Sequence, residues 1–421
     1  MTSRLTRLAA ALLLAGLALP AAQADNGDQS ATTPDWLAVF NGQVRVYEFH
    51  RFHNGNLDNP AVRSAFASSA KLFAQTRSWY GVSGGLGLYG VSNFGLSPEP
   101  SRRDGSLMGN GDSFATPAEA FLQYKYEMFH ARLGNQLLDN PWVWGSDSRV
   151  IPAAYQGITA GLTPLKNLDI EVAYVERWKN RTEPDFNTTN LYGVDPPHFW
   201  YGGATYGMAF GKNSLDLQGW YYGFTDVADM IYLQANWRYH SDWAFDPIAA
   251  LQFAHESDTG AALLGNISAQ VWGAEAGVAV GPGTYTIAYD VIPSDNGAFE
   301  NGNIVSPYTH TYATDPLFTT SMTQGLADQT TSGHAWKVKG VYWLGANRTW
   351  RFIASYARYS QSQFLKTDQT GNPSEIDLDA TYFFRNGMLE GFSIRDRLGV
   401  FSYSGQQATF VYNRLQFQYN F

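Results

Sequence analysis

Residues Arg414 to Phe421 alternate without interruption, with Leu415, Phe417, Tyr419 and Phe421 on one face of an extended segment and Arg414, Gln416, Gln418 and Asn420 on the other. Successive strand side chains point to opposite faces, so this spacing makes one surface apolar and the other polar. A soluble sandwich would turn the apolar face onto a core. An outer-membrane barrel turns it to lipid and lines a watery lumen with the polar face. From Gln43 onward the pattern returns in segments of about ten residues, separated by Gly, Asn, Asp, Pro and Ser clusters, as expected of a transmembrane β-barrel. The segments Asp169 to Val175, Tyr206 to Phe210, Leu215 to Tyr221, Ile231 to Trp237 and Ile248 to Ala254 read as strands joined by short connections. Lys212-Asn213-Ser214 and Arg238 to Asp246 read as turns between them.

Composition agrees with a barrel. The 421 residues include 26 Phe, 25 Tyr and 13 Trp, too aromatic for a disordered chain, yet mean hydropathy is only −0.27. Lipid-facing bands and aromatic girdles raise the aromatic count while a polar lumen lowers mean hydropathy. The absence of Cys excludes disulfides, thiolate metal sites and a cysteine nucleophile. A net charge of −9 argues against nucleic-acid binding. Residues 1–24 read as a signal peptide, with Arg4 and Arg7 ahead of an apolar run from Leu8 to Leu19 and Ala22-Gln23-Ala24 as the cleavage site. Beyond it no apolar run is long enough for a membrane helix. The remaining 25–421 read as one domain.

Long connections are expected at Ser97 to Ser113, Leu137 to Tyr155, Arg177 to Phe199 and Pro293 to Ser332, alternating with short turns as outer loops do. Such a chain accommodates roughly 16–18 strands. Enzyme motifs fail on context. Gly81-Val82-Ser83-Gly84-Gly85 matches the nucleophile elbow, but a strand pattern follows it where a helix is required. Asp368, Thr370, Asn372, Glu375 and Asp377 miss the calcium-loop spacing and read as a polar turn around Gly371-Asn372-Pro373. No cofactor is expected.

Three motifs resemble the OprD-type substrate-specific porins. Val44-Arg45-Val46-Tyr47-Glu48-Phe49-His50-Arg51 is similar to the family's first strand. Gly134-Asn135-Gln136, Pro141, Asp147-Ser148-Arg149, Pro152 and Tyr155-Gln156-Gly157 follow the order of its third outer loop. Leu389-Glu390-Gly391-Phe392-Ser393-Ile394-Arg395-Asp396-Arg397 resembles its penultimate strand. The resemblance implies an all-β, antiparallel outer-membrane barrel of about 18 strands, whose third and seventh loops fold into the lumen and whose column of basic residues guides carboxylates.

Carried over residue by residue, it implies a ladder of Arg45, Arg51, Arg395, Arg397 and Arg414, joined by Lys125 and Arg132. Asp139, Trp142, Trp144, Asp147, Arg149, Tyr308 and Tyr312 would belong to constricting loops, the tryptophans either as an apolar slide or as packing against the wall. Each arginine also has a plainer reading, as a solvated rim charge or a lipid-headgroup contact. With Arg45 and Arg51 inward, alternation sends Glu48 and His50 to the lipid face, and Asp396 likewise, unless a bulge resets parity or those positions lie above the hydrocarbon. Expected partners are small anionic or zwitterionic solutes and outer-membrane lipids, with the protein a monomer or loose trimer. The alternatives are an outer-membrane hydrolase or esterase using Ser83 or another serine, and a plugged structural or adhesive barrel.

Overall fold

The computed structural model describes residues 36–54, 62–109, 111–146, 148–361, 372–402 and 409–421, so the expected signal peptide, Asp147, Asp368 and Thr370 lie outside the described residues. One antiparallel sheet of 18 strands closes on itself. The strands are β1 (Leu37–Asn54), β2 (Val62–Thr76), β3 (Val82–Ser92), β4 (Phe114–Tyr126), β5 (Phe129–Gln136) and β6 (Ala154–Leu165). Then come β7 (Leu168–Lys179), β8 (Phe199–Phe210), β9 (Asn213–Phe224), β10 (Ala228–Tyr239), β11 (Asp246–Asp258) and β12 (Ser268–Val280). The last six are β13 (Gly283–Ile292), β14 (Gly333–Leu344), β15 (Trp350–Gln361), β16 (Ser374–Phe383), β17 (Phe392–Ser402) and β18 (Thr409–Asn420). Each strand pairs with its sequence neighbour, and β1 pairs with β18 to remove the last open edge.

The expected strands all lie within longer ones, and the β8–β9 hairpin turns at residues 211–212, one step before the Lys212-Asn213-Ser214 turn read from sequence. Glu375 and Asp377 depart further from expectation. They sit on β16, where alternation points them inward with Asp379, and so do not belong to a turn around Asn372. Ser83 lies inside β3, and its Oγ accepts a hydrogen bond from Gln75 Nε2 (3.1 Å).

Leu122, Leu133, Val172, Leu251 and Ile287 expose their side chains on the outer wall. The buried apolar cluster is inside the barrel, where Trp142, Val143, Ile304, Val305 and Leu326 from the long loops pack on Tyr47, Phe49, Tyr222 and Tyr232 of the wall. β1 runs in continuous register with β18 from Gln43 to Asn54, so no bulge resets its parity. Glu48 and His50 therefore do face outward, with His50 Nε2 3.0 Å from Glu48 Oε1, and Asp396 does too.

The wall has a notch. β2 and β3 pair only from Ser68–Ser92 downward. Above that point the chain leaving β3 crosses the outer surface, where Leu96, like Phe417, packs on outward-facing Val46 and Phe66. It then runs parallel to β2 at Ser64, with Asp104 N donating to Ser64 O (2.9 Å), and enters the lumen at Asp104.

Gly134 on β5 combines φ of +127° with an Ala120 carbonyl oxygen 2.2 Å from where a Cβ would lie. Both terms oppose a side chain, and strain of this kind costs about 1–3 kcal/mol. Gly134→Val is expected to lower the thermal midpoint of the folded barrel, measured as the loss of its heat-modifiable gel mobility, whereas Ala131→Val three residues away on the same strand should move it little.

Candidate solute pathway

The basic residues of β1, β17 and β18 share one inner wall. In register, Arg414 lies opposite Arg397 and Phe49, while Arg45 lies opposite Gln418. Like charges so close need acceptors, and the structure supplies them. Arg397 Nη2 donates to Tyr47 OH (2.6 Å), and Arg414 Nη2 donates to Met322 O (3.2 Å) with its guanidinium 4.0 Å from the Tyr412 ring centroid. Arg45 donates to Gln418 Oε1 (3.0 and 2.7 Å) and to Arg149 O (2.5 Å). Arg51 pairs with Asp104 (2.9 Å) over the Phe49 and Tyr412 rings. Arg395 makes a bidentate pair with Asp379 and retains 27% side-chain exposure, whereas Arg45, Arg397 and Arg414 keep 2%, 7% and 3% as residues. Loop carbonyls of Arg149 and Met322 cover Arg45 and Arg414.

Lys125 and Arg132 do not join this column. They lie on β4 and β5, three and four strands along the wall from β1. Lys125 is exposed beside the short 127–128 turn, and Arg132 binds Gln123 Oε1 (2.8 Å) over the Phe121 ring. Closer to the column, Lys71, Tyr89 and Glu119 border an alcove of about 380 Å³ with Gln43 and Asn420, and Tyr89 OH donates to Glu119 Oε1 (2.6 Å).

Arg149 lies against the ladder, its Nε donating to Ser106 O (3.1 Å). Arg181, unremarked in the sequence reading, adds a further guanidinium from the 180–198 segment. It donates to Ser146 Oγ (3.1 Å) and Ser148 Oγ (2.8 Å) and stacks on Tyr312, 3.2 Å from the ring centroid. Burial, with Arg149 nearby, pulls its pKa down to about 10. Among the described residues, Arg181 Nε, Arg397 Nε, Arg414 Nε and Tyr412 OH are buried without a hydrogen-bond partner.

Of the loop residues, Trp142 is fully buried against Tyr232, with its backbone N–H 3.4 Å from Tyr222 OH. Trp144 and Asp139 reach an opening of about 320 Å³ bordered by Thr314 and Pro316 of the 293–332 segment. Tyr308 packs among Phe199, Trp178 and Tyr155, away from that opening. The Tyr312 hydroxyl donates to Asn180 Oδ1.

The acids on the facing strands hold the 293–332 segment by its main chain. Asp290 Oδ2 accepts from Thr319 N and Oγ1 (both 2.7 Å), Asp377 from Met322 N (3.2 Å), Glu375 from Thr323 N (2.8 Å) and Glu256 from Val305 N (2.7 Å). Its carbonyls are met by Tyr359 OH on Thr319 and Gln324 (both 3.1 Å) and by Lys337 Nζ on Thr320 (2.5 Å). Inward placement of these acids follows from alternation, but nothing in the strands says which loop amides they meet.

The family model for outer membrane porins of the OprD family matches residues 81–421. The chain belongs to the OprD family. It is thus an integral protein of the bacterial outer membrane, and its closed 18-strand barrel is that of the solved family structures. Pseudomonas aeruginosa OccK9 (OpdG) superposes with a TM-score of 0.78 at 18% identity, covering 90% of this chain and 97% of that one. A BenF-like porin from Pseudomonas fluorescens Pf-5 gives 0.76 at 14% identity, with 90% and 97% covered. Pseudomonas aeruginosa OpdK, in a structure with vanillate, gives 0.69 at 18% identity, with 92% and 99% covered. No curated protein matches the chain in sequence.

Two outcomes test the loop anchoring. Removing the Asp290 carboxylate leaves the Thr319 amide without its acceptor, a loss of about 1–3 kcal/mol. Asp290→Ala is expected to speed hydrogen exchange at Thr319 at least about fivefold while exchange on β5 is unchanged. Asp315, in the loop, is raised to about 6, chiefly by burial. Its Oδ1 accepts from Leu317 N (3.1 Å) and Thr320 Oγ1 (2.5 Å), leaving Oδ2 to carry the proton. A carboxyl raised above its free value of 3.8 favours the docked loop most fully below that value and loses this contribution as pH rises through about 6. Exchange at Leu317 is therefore expected to quicken from pH 4 to pH 7, after correction for intrinsic rates, and Asp315→Asn to flatten that dependence.

Proposed function

We propose that this OprD-family porin admits small carboxylate-bearing solutes, anionic or zwitterionic, by passive diffusion past the basic wall. The Arg395 guanidinium carries the reading, since it keeps 27% side-chain exposure beside the buried Arg397 and Arg414. A passing carboxylate oxygen can accept a charge-assisted hydrogen bond from it. The guanidinium fork suits such an anion by bidentate geometry. The acidic total of the chain does not oppose this, because charges on exposed loops are screened beyond about 8–10 Å. Vanillate, present with OpdK, is an aromatic carboxylate, and the half-buried Trp144 beside the opening offers an apolar surface to a body of that kind.

The same wall carries Asp379, Asp377 and Glu375 one strand away, so a solute meets a paired charge at Arg395, backed by the buried charges of Arg397 and Arg414. Mixed charge of this sort suits a zwitterion as well as a plain anion. A hydrolase reading places its nucleophile at Ser83, but that hydroxyl sits on the inner side with Gln75 and Gln123, away from the lipid substrate such an enzyme would take.

Purified protein in a planar bilayer is expected to give single-channel steps with anion preference. Arg395→Ala should lower the anion-to-cation permeability ratio by roughly tenfold, because one unit charge at about 6 Å in water changes anion and cation occupancy roughly threefold each in opposite directions. Cation preference in the unaltered protein overturns the proposed selectivity, and silence overturns the channel.

A further inference from the structure

Half-way round the barrel from the arginine column, the inner wall of β9 and β10 carries a row of carboxamides. Gln218 and Gln234 lie side by side in register, and Asn236 follows two residues nearer the short turn that ends β10. One tryptophan orients all three. An indole N–H can only donate, so Trp220 Nε1 (3.0 Å) fixes the oxygen of Gln218 toward itself. Gln218 Nε2 must then donate to Gln234 Oε1 (3.0 Å), which also accepts from Tyr232 OH (2.6 Å), and Gln234 Nε2 donates to Asn236 Oδ1 (2.8 Å). Each carboxamide nitrogen carries two hydrogens, and those of Gln218 and Gln234 use one each within the chain. All three side chains are half-buried, so the row presents uncharged N–H donors to the lumen. Gln252, next in register, does not extend it, because its Nε2 is committed to Asp290 Oδ1 (2.7 Å) across Gly273.

The row begins at the opening between the loops. Gln218 borders that opening of about 320 Å³ with Asp139 and Trp144, and among the described residues no Arg or Lys does. Asp139 is exposed and Trp144 half-buried. A carboxylate finds no counter-charge at this place, and Asp139 repels it. An uncharged solute rich in hydroxyl groups is matched on every side. Carboxamide N–H groups meet its oxygens, the Asp139 carboxylate accepts its O–H groups, and the indole face of Trp144 covers its C–H surface. The volume lies near the lower end for small-molecule sites, enough for one small ring. We propose that the opening and the carboxamide row form a second solute path through this barrel, which takes uncharged polyhydroxylated compounds of monosaccharide size. A solute held at Asp139 and Gln218 descends by exchanging its hydroxyl partners from Gln218 to Gln234 and Asn236. This path lies apart from the basic wall and holds whether or not that wall selects carboxylates.

The test is current block in a planar bilayer, with D-glucose as the probe. Glucose is expected to reduce the ion current of the full-length protein reversibly and saturably. Tetraethylene glycol, of similar mass but with few O–H groups, should reduce it without saturating. Asp139→Ala and Gln218→Leu should each weaken the glucose block about fivefold, the effect of one lost hydrogen bond. Glu127→Ala, the same loss of charge at the remote 127–128 turn, should leave the block unchanged. Absence of saturable block, equal block by both probes, or undiminished block in folded Asp139→Ala overturns the proposal. Tighter block by cyclohexylammonium than by glucose assigns the opening to cations and overturns it as well. Where the variants lose their heat-modifiable mobility or the bilayer is silent, saturation-transfer NMR of glucose on the unaltered protein decides. Transfer abolished by excess xylitol supports the site, and transfer that is absent or unaffected overturns it.

Discussion

Water is absent from the hydrocarbon layer, so every main-chain N–H and C=O that crosses it must find its partner in the protein. The closing pair β1–β18 satisfies that requirement for the whole sheet, and the inner and outer faces then follow from side-chain alternation alone. This makes a wall whose inner face can be polar and charged without cost to its stability in lipid. The lumen is consequently where nearly all the strand charges lie.

Those inner charges divide by sign and do different things to the loops. The arginines of β1 and β18 meet main-chain carbonyls, as Arg45 does at Arg149 and Arg414 at Met322. The carboxylates of β11, β13 and β16 meet main-chain amides, from Val305 to Thr323. A buried ion with a hydrogen-bonded main-chain partner is far better tolerated than one alone. Two loops that would otherwise expose unpaired backbone to a narrow lumen are thus fixed by the same residues that give the pore its charge.

Much of this was legible in the residues. Alternation gives the barrel, and the parity of Arg45 and Arg51 correctly sends Glu48 and His50 outward. The long Pro293 to Ser332 connection matches the interval between β13 and β14. Glu375 and Asp377 were harder, because Asn372 and Pro373 before them carry a strong turn signal that masks the start of β16. Arg181 and the partners of Asp290 had no local signal at all, since what they touch is over a hundred residues away or in a loop without periodicity. The crossing of residues 93–104 over the outer wall likewise depends on where β2 and β3 stop pairing, a long-range property.

The 293–332 segment is gripped largely through its peptide groups, with its side chains contributing less to the grip on the wall. Peptide groups are the same whatever residue carries them. Substitutions along the parts of that segment facing the opening can therefore alter what the pore admits without altering where the segment sits. Selectivity and architecture become separately variable, and one scaffold can be retuned to a new solute by changing a few loop side chains.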